Sequence, residues 1–241
     1  MDEQGNIINA FSEMAPRYEQ LMDQELNSFW GVEYAAFLDE ALRDFHPSSS
    51  DLILDIATGT GFIPGYLVEN GKTFGRIIGL DITFDMLVHA QQRMREMSNE
   101  DRVLLVCASA HAMPFKRISF DQAICCLATH HMDVPALLKN IHQTLKPGGH
   151  VTIADAGGSS RWKNLMIKSL IKAGAFLYFL IFENFSRAAA ESSAIANIHT
   201  SEEWSGLFKE CHFQFVRLRQ LKSRRFYAPD PVIIIAQKSS A

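Results

Sequence analysis

Two glycines at the end of an apolar run are the first residues of this chain that could bind a ligand. Gly59 and Gly61 lie in the stretch DIATGTG, where a strand-like pattern changes to a helical one. Glycine adopts positive φ angles and lets a ligand approach the backbone closely. The start of the following helix offers free N–H groups to a carboxylate or phosphate. We therefore predict a binding turn, with a purely structural turn as the alternative.

An acidic residue follows the next apolar run. Asp81 comes about twenty residues after the glycines, the spacing of an acid that binds a ribose diol. A cap for the helix that starts at once is the alternative role. Both features fit a nucleoside with an anionic or zwitterionic tail. A dinucleotide site also wants a third small residue, where this chain has Pro64.

Three histidines are candidate general bases, because imidazole titrates near neutral pH. They are His111, His130 and His131. The last two follow the fourth predicted strand, and their alternative role is to shape that loop.

Alternating strands and helices predict the elements that hold these residues. The helical patterns at 83–97 and 134–145 each place their apolar residues on one face. Alternation of this kind indicates βαβ units and a parallel sheet. Five strand-like runs are expected at residues 51–56, 76–80, 102–107, 122–127 and 150–154.

The C-terminal end differs. Two further strands, Phe213–Leu221 and Val232–Gln237, are joined by only ten polar residues. Because a parallel crossover needs about a dozen residues or more, these strands should pair antiparallel. The fold class is therefore α/β: a seven-stranded doubly wound sheet, mostly parallel, with a C-terminal antiparallel hairpin and a helical cap.

One domain of four parts is expected over residues 1–241. Residues 1–46 form a cap of two helices, 47–156 the cofactor-binding core, 157–200 an apolar helical insertion, and 201–241 the last helix and the hairpin. Within the insertion, Ala173–Phe182 is almost wholly apolar but spans ten residues, short of the roughly 20 that cross a bilayer. We expect a lid over a hydrophobic small molecule, with simple burial of the cap as the alternative.

The composition of the chain limits the classes of molecule that it is expected to bind. A net charge of −4 gives no global attraction to nucleic acid, and the basic run at residues 222–225 is expected to be a solvated loop. The four cysteines lack zinc spacing, so no metal is expected, and Cys107, Cys125 and Cys126 should be core residues. With an acidic, polar N-terminus, these features predict a cytoplasmic protein. No transmembrane segment is expected; peripheral membrane contact and the oligomeric state stay open.

Several segments in order resemble class I S-adenosylmethionine-dependent methyltransferases, a Rossmann-like family, and most of all the ubiquinone/menaquinone-type subgroup. The likeness covers about residues 7–155 and returns at 199–204. The matching segments are residues 11–18, 55–61, Asp81, 108–115, 120–124 and 145–150.

The resemblance implies S-adenosylmethionine as cofactor and S-adenosylhomocysteine as product. Gly59 and Gly61 would flank the methionine part, Asp55 its ammonium, and Asp81 the ribose. His131 is the favoured base, because the family often has histidine there. The implied cofactor-binding residues are Tyr18, Asp55, Ala57, Thr58, Gly59, Gly61, Asp81, Ile82, Met86, Ser109, Ala110 and Leu127.

Two departures from the family pattern matter. Ser109 stands where the family usually has an acid for the adenine amino group, and a neutral acceptor binds more weakly. Residues 156–160 do not resemble the quinone-type signature. The expected activity is O- or C-methylation of a hydrophobic small molecule. The alternatives are a cyclase that keeps the cofactor on the same scaffold, and a non-catalytic binding protein.

Overall fold

Seven strands form one sheet in the computed structural model, which describes residues 3–157, 164–225 and 227–240. Five strands alternate with helices, and the last two follow the final helix. In chain order the strands are β1 Leu52–Ile56, β2 Arg76–Asp81, β3 Val103–Cys107, β4 Phe120–Cys126, β5 Leu145–Ala156, β6 Phe213–Gln220 and β7 Pro231–Lys238.

The strand order is β3-β2-β1-β4-β5-β7-β6. β1 to β5 pair in parallel, whereas β7 pairs antiparallel with both β5 and β6. The order reverses between β1 and β4, and ligands of doubly wound sheets bind at the carboxyl ends of strands at such a point. The predicted fold class is confirmed.

Nine helices are described around this sheet. The predicted apolar faces of the helices Phe84–Glu96 and Val134–Thr144 are confirmed, since Met86, Ala90, Leu137 and Ile141 are all buried. The helices are α1 Glu3–Met14, α2 Tyr18–Phe29, α3 Tyr34–Ala41, α4 Phe62–Glu69, α5 Phe84–Glu96, α6 Val134–Thr144, α7 Leu165–Phe182, α8 Phe185–Ala194 and α9 Ser201–Glu210.

The alternation of side chains along β1 determines the face of the sheet on which Asp55 lies. Ile53 belongs to the core on the side of the N-terminal helices, and Leu54 and Ile56 belong to the core on the opposite face. Because successive side chains of a strand point to opposite faces, Asp55 faces the same side as Ile53. It therefore lies beneath the N-terminal helices rather than α6.

The N-terminal cap has three helices, where the sequence predicted two. A short 3-10 turn, Ala15–Arg17, separates α1 from α2. Pro16 lies in that turn, and proline lacks the N–H that a continuous helix requires. The break places Tyr18 at the start of α2, next to the glycine turn.

The apolar segment of the insertion is longer than expected. α7 has 18 residues, and by length and composition alone it could cross a membrane; 6% of it is buried. Lys168 and Lys172 interrupt the apolar run in the sequence, but the Lys168 ammonium turns toward the backbone oxygens of Ala196 and Ile198. The predicted length of ten residues was therefore too short, but a single helix of this kind is only weak evidence for a membrane span.

Two further predictions concern the burial of the cysteines and the division of the chain into four parts. Cys125 and Cys126 are buried as predicted, but Cys107 is exposed, because β3 is the edge strand. The first residues of the predicted insertion, 158–163, lie outside the described residues, and the four-part division of the chain stays a prediction.

Candidate functional site

The turn between β1 and α4 needs its glycines. Gly59 and Gly61 have φ angles of +55° and +74°, values that glycine adopts readily. A Cβ on Gly61 would also lie 3.0 Å from the Cβ of Ala90 on α5, so a side chain there would separate the two helices. Ala57, just before the turn, also has a positive φ of 56°. Such strain in a residue other than glycine is typical of ligand sites.

Asp55 lies beneath this turn with one carboxylate oxygen unused. Its Oδ2 accepts a hydrogen bond from the Thr58 hydroxyl at 2.6 Å, while Oδ1 is buried and accepts none from any described residue. Burial, aided by the charge of Asp81 and opposed by the Thr58 hydrogen bond, raises the pKa of Asp55 to about 7. A buried acceptor without a donor is costly, so the site fits a ligand ammonium.

Asp81 fastens the turn to the end of β2. Its Oδ2 accepts from the Gly59 N–H and its Oδ1 from the Thr83 N–H, both at 2.8 Å. The residue that caps α5 is Thr83, so Asp81 is not the helix cap. A carboxylate has about four lone-pair sites, which leaves capacity for the hydroxyls of a ribose.

A cleft of about 1060 Å³, here called the nucleoside cleft, opens at the carboxyl ends of β1, β2 and β3. Five of the implied cofactor residues line it. Asp55, Thr58, Gly59, Gly61 and Met86 do not line this cleft, although the Gly59 N–H donates to the Asp81 carboxylate in its wall. The lining residues predicted from the sequence are Ala57, Asp81, Ile82, Ser109 and Ala110, together with His111 and His131.

Ser109 retains its own partner at the cleft wall. Its Oγ accepts a hydrogen bond from the His111 N–H at 3.2 Å. The Nε2 of His111 is already occupied, because it accepts a hydrogen bond from the Asp133 N–H at 3.1 Å. His111 therefore supports the loop before α6, and it is left out of the proton transfer proposed below.

A second cavity of about 540 Å³, here called the acceptor cavity, lies between the N-terminal helices and the insertion. Its wall is mostly apolar. Predicted residues in the wall are Tyr18, Leu127, His130 and His131, and His131 lines both cavities. Leu127 follows β4 with a positive φ of 53°, as Ala57 follows β1.

His130 and Asp155 form an ion pair in this wall. The His130 Nδ1 lies 2.6 Å from the Asp155 Oδ1. Burial lowers the pKa of His130, but the charge and hydrogen bond of Asp155 outweigh it, so the pKa is raised. Burial raises the pKa of Asp155, but His130 and Thr129 more than reverse it. A histidine oriented by a buried carboxylate is the arrangement of a general base.

His131 stands beside this pair in the neutral form. Burial, followed by the charge of His130, lowers its pKa to about 3. Its Nδ1 is buried without a hydrogen bond to a described residue, and its ring lies edge-on to Phe11 at 5.3 Å. A neutral ring nitrogen at the junction of the two cavities is suited to position a ligand.

Arg187 on α8 ties the insertion to the cap. Its guanidinium is buried and donates to both carboxylate oxygens of Glu25 on α2, at 2.8 and 3.0 Å. The same side chain lies 3.2 Å from Glu191. Burial is the main cause that raises the pKa of Glu25 to about 7, against the charge of Arg187.

One group in this wall has metal-ligand spacing. His130, His131 and Glu191 hold ligand atoms within 4.8 Å of one another. The Glu191 Oε1, however, already lies beside the Arg187 guanidinium, and His130 already pairs with Asp155. Protein residues therefore already balance the charges of this group. We assign it to proton transfer rather than to metal binding.

Sequence reasoning missed the acids of the acceptor cavity. Asp155 is the last residue but one of β5, and an acid near the carboxyl end of a central strand was a usable signal. Arg187 and Glu191 are four apart, which indicates one helix face. Their meeting with Glu25 and His131 joins segments about 160 and 60 residues apart in the sequence, which no local pattern reveals.

A family model matches the part of the chain that contains the strand ends of the nucleoside cleft. The model, described as "Methyltransferase domain", matches residues 54–153, which contain the glycine turn, Asp81 and both His130 and His131. The chain carries an S-adenosylmethionine-dependent methyltransferase domain.

Known methyltransferases resemble it at low identity. A curated ubiquinone/menaquinone biosynthesis C-methyltransferase from Geobacter sp. (strain M21) is 24% identical over 225 residues, 90% of this chain and 92% of that protein. Solved structures share the fold alone. A geranyl diphosphate C-methyltransferase from Streptomyces coelicolor has a TM-score of 0.63 at 18% identity over 85% of this chain and 78% of that one. The cyclase SpnF has a TM-score of 0.64 at 16% identity over 94% and 97%.

Cofactor binding to this methyltransferase is expected to release a proton near neutral pH. The ammonium of S-adenosylhomocysteine favours the ionised form of Asp55, whose pKa is about 7 without ligand. Binding at pH 7 should therefore release up to about half a proton, and affinity should fall as the pH drops below 7. Calorimetry in phosphate and in Tris measures the release from the difference in apparent enthalpy.

The control is Asp55→Asn, which should bind more weakly and release no proton in this range. Equal apparent enthalpies in the two buffers for the unaltered protein would contradict the placement of the ammonium.

Proposed function

We propose that this methyltransferase transfers the methyl group of S-adenosylmethionine to an oxygen or carbon atom of a hydrophobic small molecule. The observation that carries the proposal is the pair of cavities. A nucleoside cleft and an apolar cavity meet at His131, with the His130–Asp155 pair in the apolar wall.

The cofactor supplies an electrophilic methyl group on a sulfonium. Asp55 would hold its ammonium, Asp81 its ribose, and Ile82 and Ala110 would contact the adenine. Tyr18 would close over the methionine part, since its ring lies 3.9 Å from the position of a Cβ on Gly59. Leu127, at the edge of the acceptor cavity, would contact the reacting end. These contacts mainly fix position, which is the largest contribution a protein makes to such a displacement.

His130 would take the proton of the acceptor. As the bond from methyl carbon to acceptor forms, the bond from sulfur to methyl carbon breaks, and sulfur keeps the electron pair. The acceptor proton moves to the Nε2 of His130. Asp155 holds Nδ1 and stabilises the resulting imidazolium. His131, neutral and beside this pair, positions the acceptor.

The mostly apolar wall of the acceptor cavity favours a hydrophobic acceptor. Phe11, Leu26, Trp30, Ile171 and Phe179 are among the apolar residues of its wall. A cavity of this volume suits a small molecule, for which apolar walls with a few polar groups are usual. The relative named for ubiquinone and menaquinone biosynthesis supports a quinone-type acceptor, and lipophilic hydroxyaromatic compounds are the probes of this class. We keep the predicted cytoplasmic location as part of this proposal.

Labelled methyl transfer tests the proposal. The protein, methyl-labelled S-adenosylmethionine and a panel of lipophilic hydroxyaromatic compounds should yield a labelled organic product and one S-adenosylhomocysteine per product. Polar analogues of the same rings should react poorly. Conversion of a compound without label would favour a cyclase, and tight NAD binding without a response to S-adenosylhomocysteine would overturn the cofactor assignment.

A further inference from the structure

α7 has two apolar faces, and only one of them is used inside the protein. Five inward residues line the acceptor cavity: Ile171, Gly174, Ala175, Tyr178 and Phe179. The outward residues are large, apolar and exposed. These residues, here called the outer face, are Leu165, Met166, Leu170, Leu177 and Ile181.

The outer face is unusual for a surface in water. Leu165, Leu170 and Ile181 are 79%, 71% and 71% exposed, and Phe185 of α8 extends the patch with 61% exposure. The charged residues of α7 are Lys168 and Lys172; Lys168 is directed inward, and Lys172 lines the nucleoside cleft. The outer face therefore presents a continuous uncharged surface, and patches of this kind mark contact sites.

The mouth of the acceptor cavity lies beside this surface. Tyr178 and Tyr227 line the cavity, yet they are 48% and 44% exposed, so the cavity reaches the surface where they stand. Tyrosine places an apolar ring against hydrocarbon and a hydroxyl in water. A molecule moving from the outer face into the cavity would therefore cross apolar surface throughout.

We propose that the outer face of α7 lies on a lipid bilayer and that the lipophilic acceptor enters the cavity from the lipid. This inference rests on the proposed function. A second copy of the chain seated permanently on the same face would cover the mouth beside Tyr178, whereas fluid lipid leaves it open to an acceptor.

The helix lies in the plane of the membrane rather than across it. Its 18 residues reach about 27 Å, slightly less than the hydrocarbon core of about 30 Å. Its inward face is fastened to the protein, since the Arg187 guanidinium lies 5.2 Å from the Phe179 ring and Lys168 binds the Ile198 carbonyl. Surrounding the helix with lipid would break these contacts, so one apolar face enters the interface.

Flotation with phosphatidylcholine vesicles tests this surface without an acceptor. Because the outer face is uncharged, neutral vesicles should carry the protein, and adding phosphatidylglycerol should change the bound fraction little. The double variant Leu170→Ser/Ile181→Ser should lower the vesicle partition coefficient at least tenfold. The matched control, Val88→Ser/Ile118→Ser, removes two exposed apolar side chains elsewhere and should float as the unaltered protein does.

Binding of S-adenosylhomocysteine should be the same in both double variants, which separates the membrane surface from the methyltransferase site. The proposal is overturned if the unaltered protein stays in solution, or if the α7 variant floats equally well. It is also overturned if sedimentation shows a dimer that the α7 variant abolishes while vesicles bind neither form.

Discussion

Replacing His130 by alanine is expected to slow methyl transfer by about 10²–10⁴-fold, the usual contribution of a positioned general base. The affinity for S-adenosylhomocysteine should be unchanged, because His130 lines the acceptor cavity and not the nucleoside cleft. The measurement is kcat with an acceptor identified by the labelled-methyl screen. His46→Ala, an exposed histidine replaced in the same way, is the control.

The pH profile separates a base from a residue that only shapes the loop. Transfer requires neutral His130, and Asp155 raises its pKa, so kcat should increase with pH through a limb above 6.5. Asp155→Asn removes the charge that stabilises the imidazolium. The limb should then move to lower pH, and the maximal rate should fall. A variant that lowers the rate without moving the limb would contradict this assignment.

His131 is the competing base, and the same profile distinguishes it. The pKa of His131 is lowered to about 3, so it stays neutral throughout the accessible range and gives no limb near neutral pH. His131→Gln should raise the KM for the acceptor and leave the limb in place. Loss of the limb in this variant alone would make His131 the base, as the family resemblance favoured.

The shifted pKa values of His130 and Asp155 also make the stability of the folded protein depend on pH. A raised histidine pKa adds stability that is complete below pH 6.5 and is lost as the pH rises through the folded value. A lowered aspartate pKa adds stability that is present above pH 3.8 and is lost as the pH falls. The pair therefore stabilises most between these limits, whereas catalysis improves on the alkaline side.

Local sequence was sufficient for the sheet and the nucleoside cleft. The strands, the glycine turn and Asp81 are close in sequence, and the carboxyl-end rule gives their location without knowledge of tertiary contacts. Asp55 could be placed only by resemblance, because its importance comes from burial and an unused oxygen, which no spacing shows.

The acceptor cavity could not be predicted in this way. Its polar residues come from α2, α8, β5 and the loop after β4, and their meeting depends on how the insertion packs on the cap. The length of α7 was missed because Lys168 and Lys172 interrupt the apolar run along the sequence. In the folded helix, however, the two lysines lie on one flank. The sequence thus predicted a lid, and the structure adds an outer surface.

Asp81→Ala is expected to weaken binding of S-adenosylhomocysteine about tenfold to a hundredfold, since a hydrogen bond to a charged acceptor contributes roughly 1.5–3 kcal/mol. Isothermal calorimetry measures the change. Asp85→Ala, which removes an exposed acid in the first turn of α5, is the matched control and should bind normally.

A cycle of variant and ligand decides whether Asp81 contacts the ribose or only fastens the turn. Burial raises the pKa of Asp81 against its backbone hydrogen bonds, so the neutral Asp81→Asn should still fold, although it loses one of the two backbone hydrogen bonds. The amide keeps one acceptor for Gly59 or Thr83 but loses the charge that faces the cleft. The unaltered protein should bind 2′-deoxy-S-adenosylhomocysteine more weakly than the parent compound, and Asp81→Asn should bind the two alike. If the variant still prefers the parent compound by the same factor, the hydroxyl binds elsewhere and Asp81 only holds the turn.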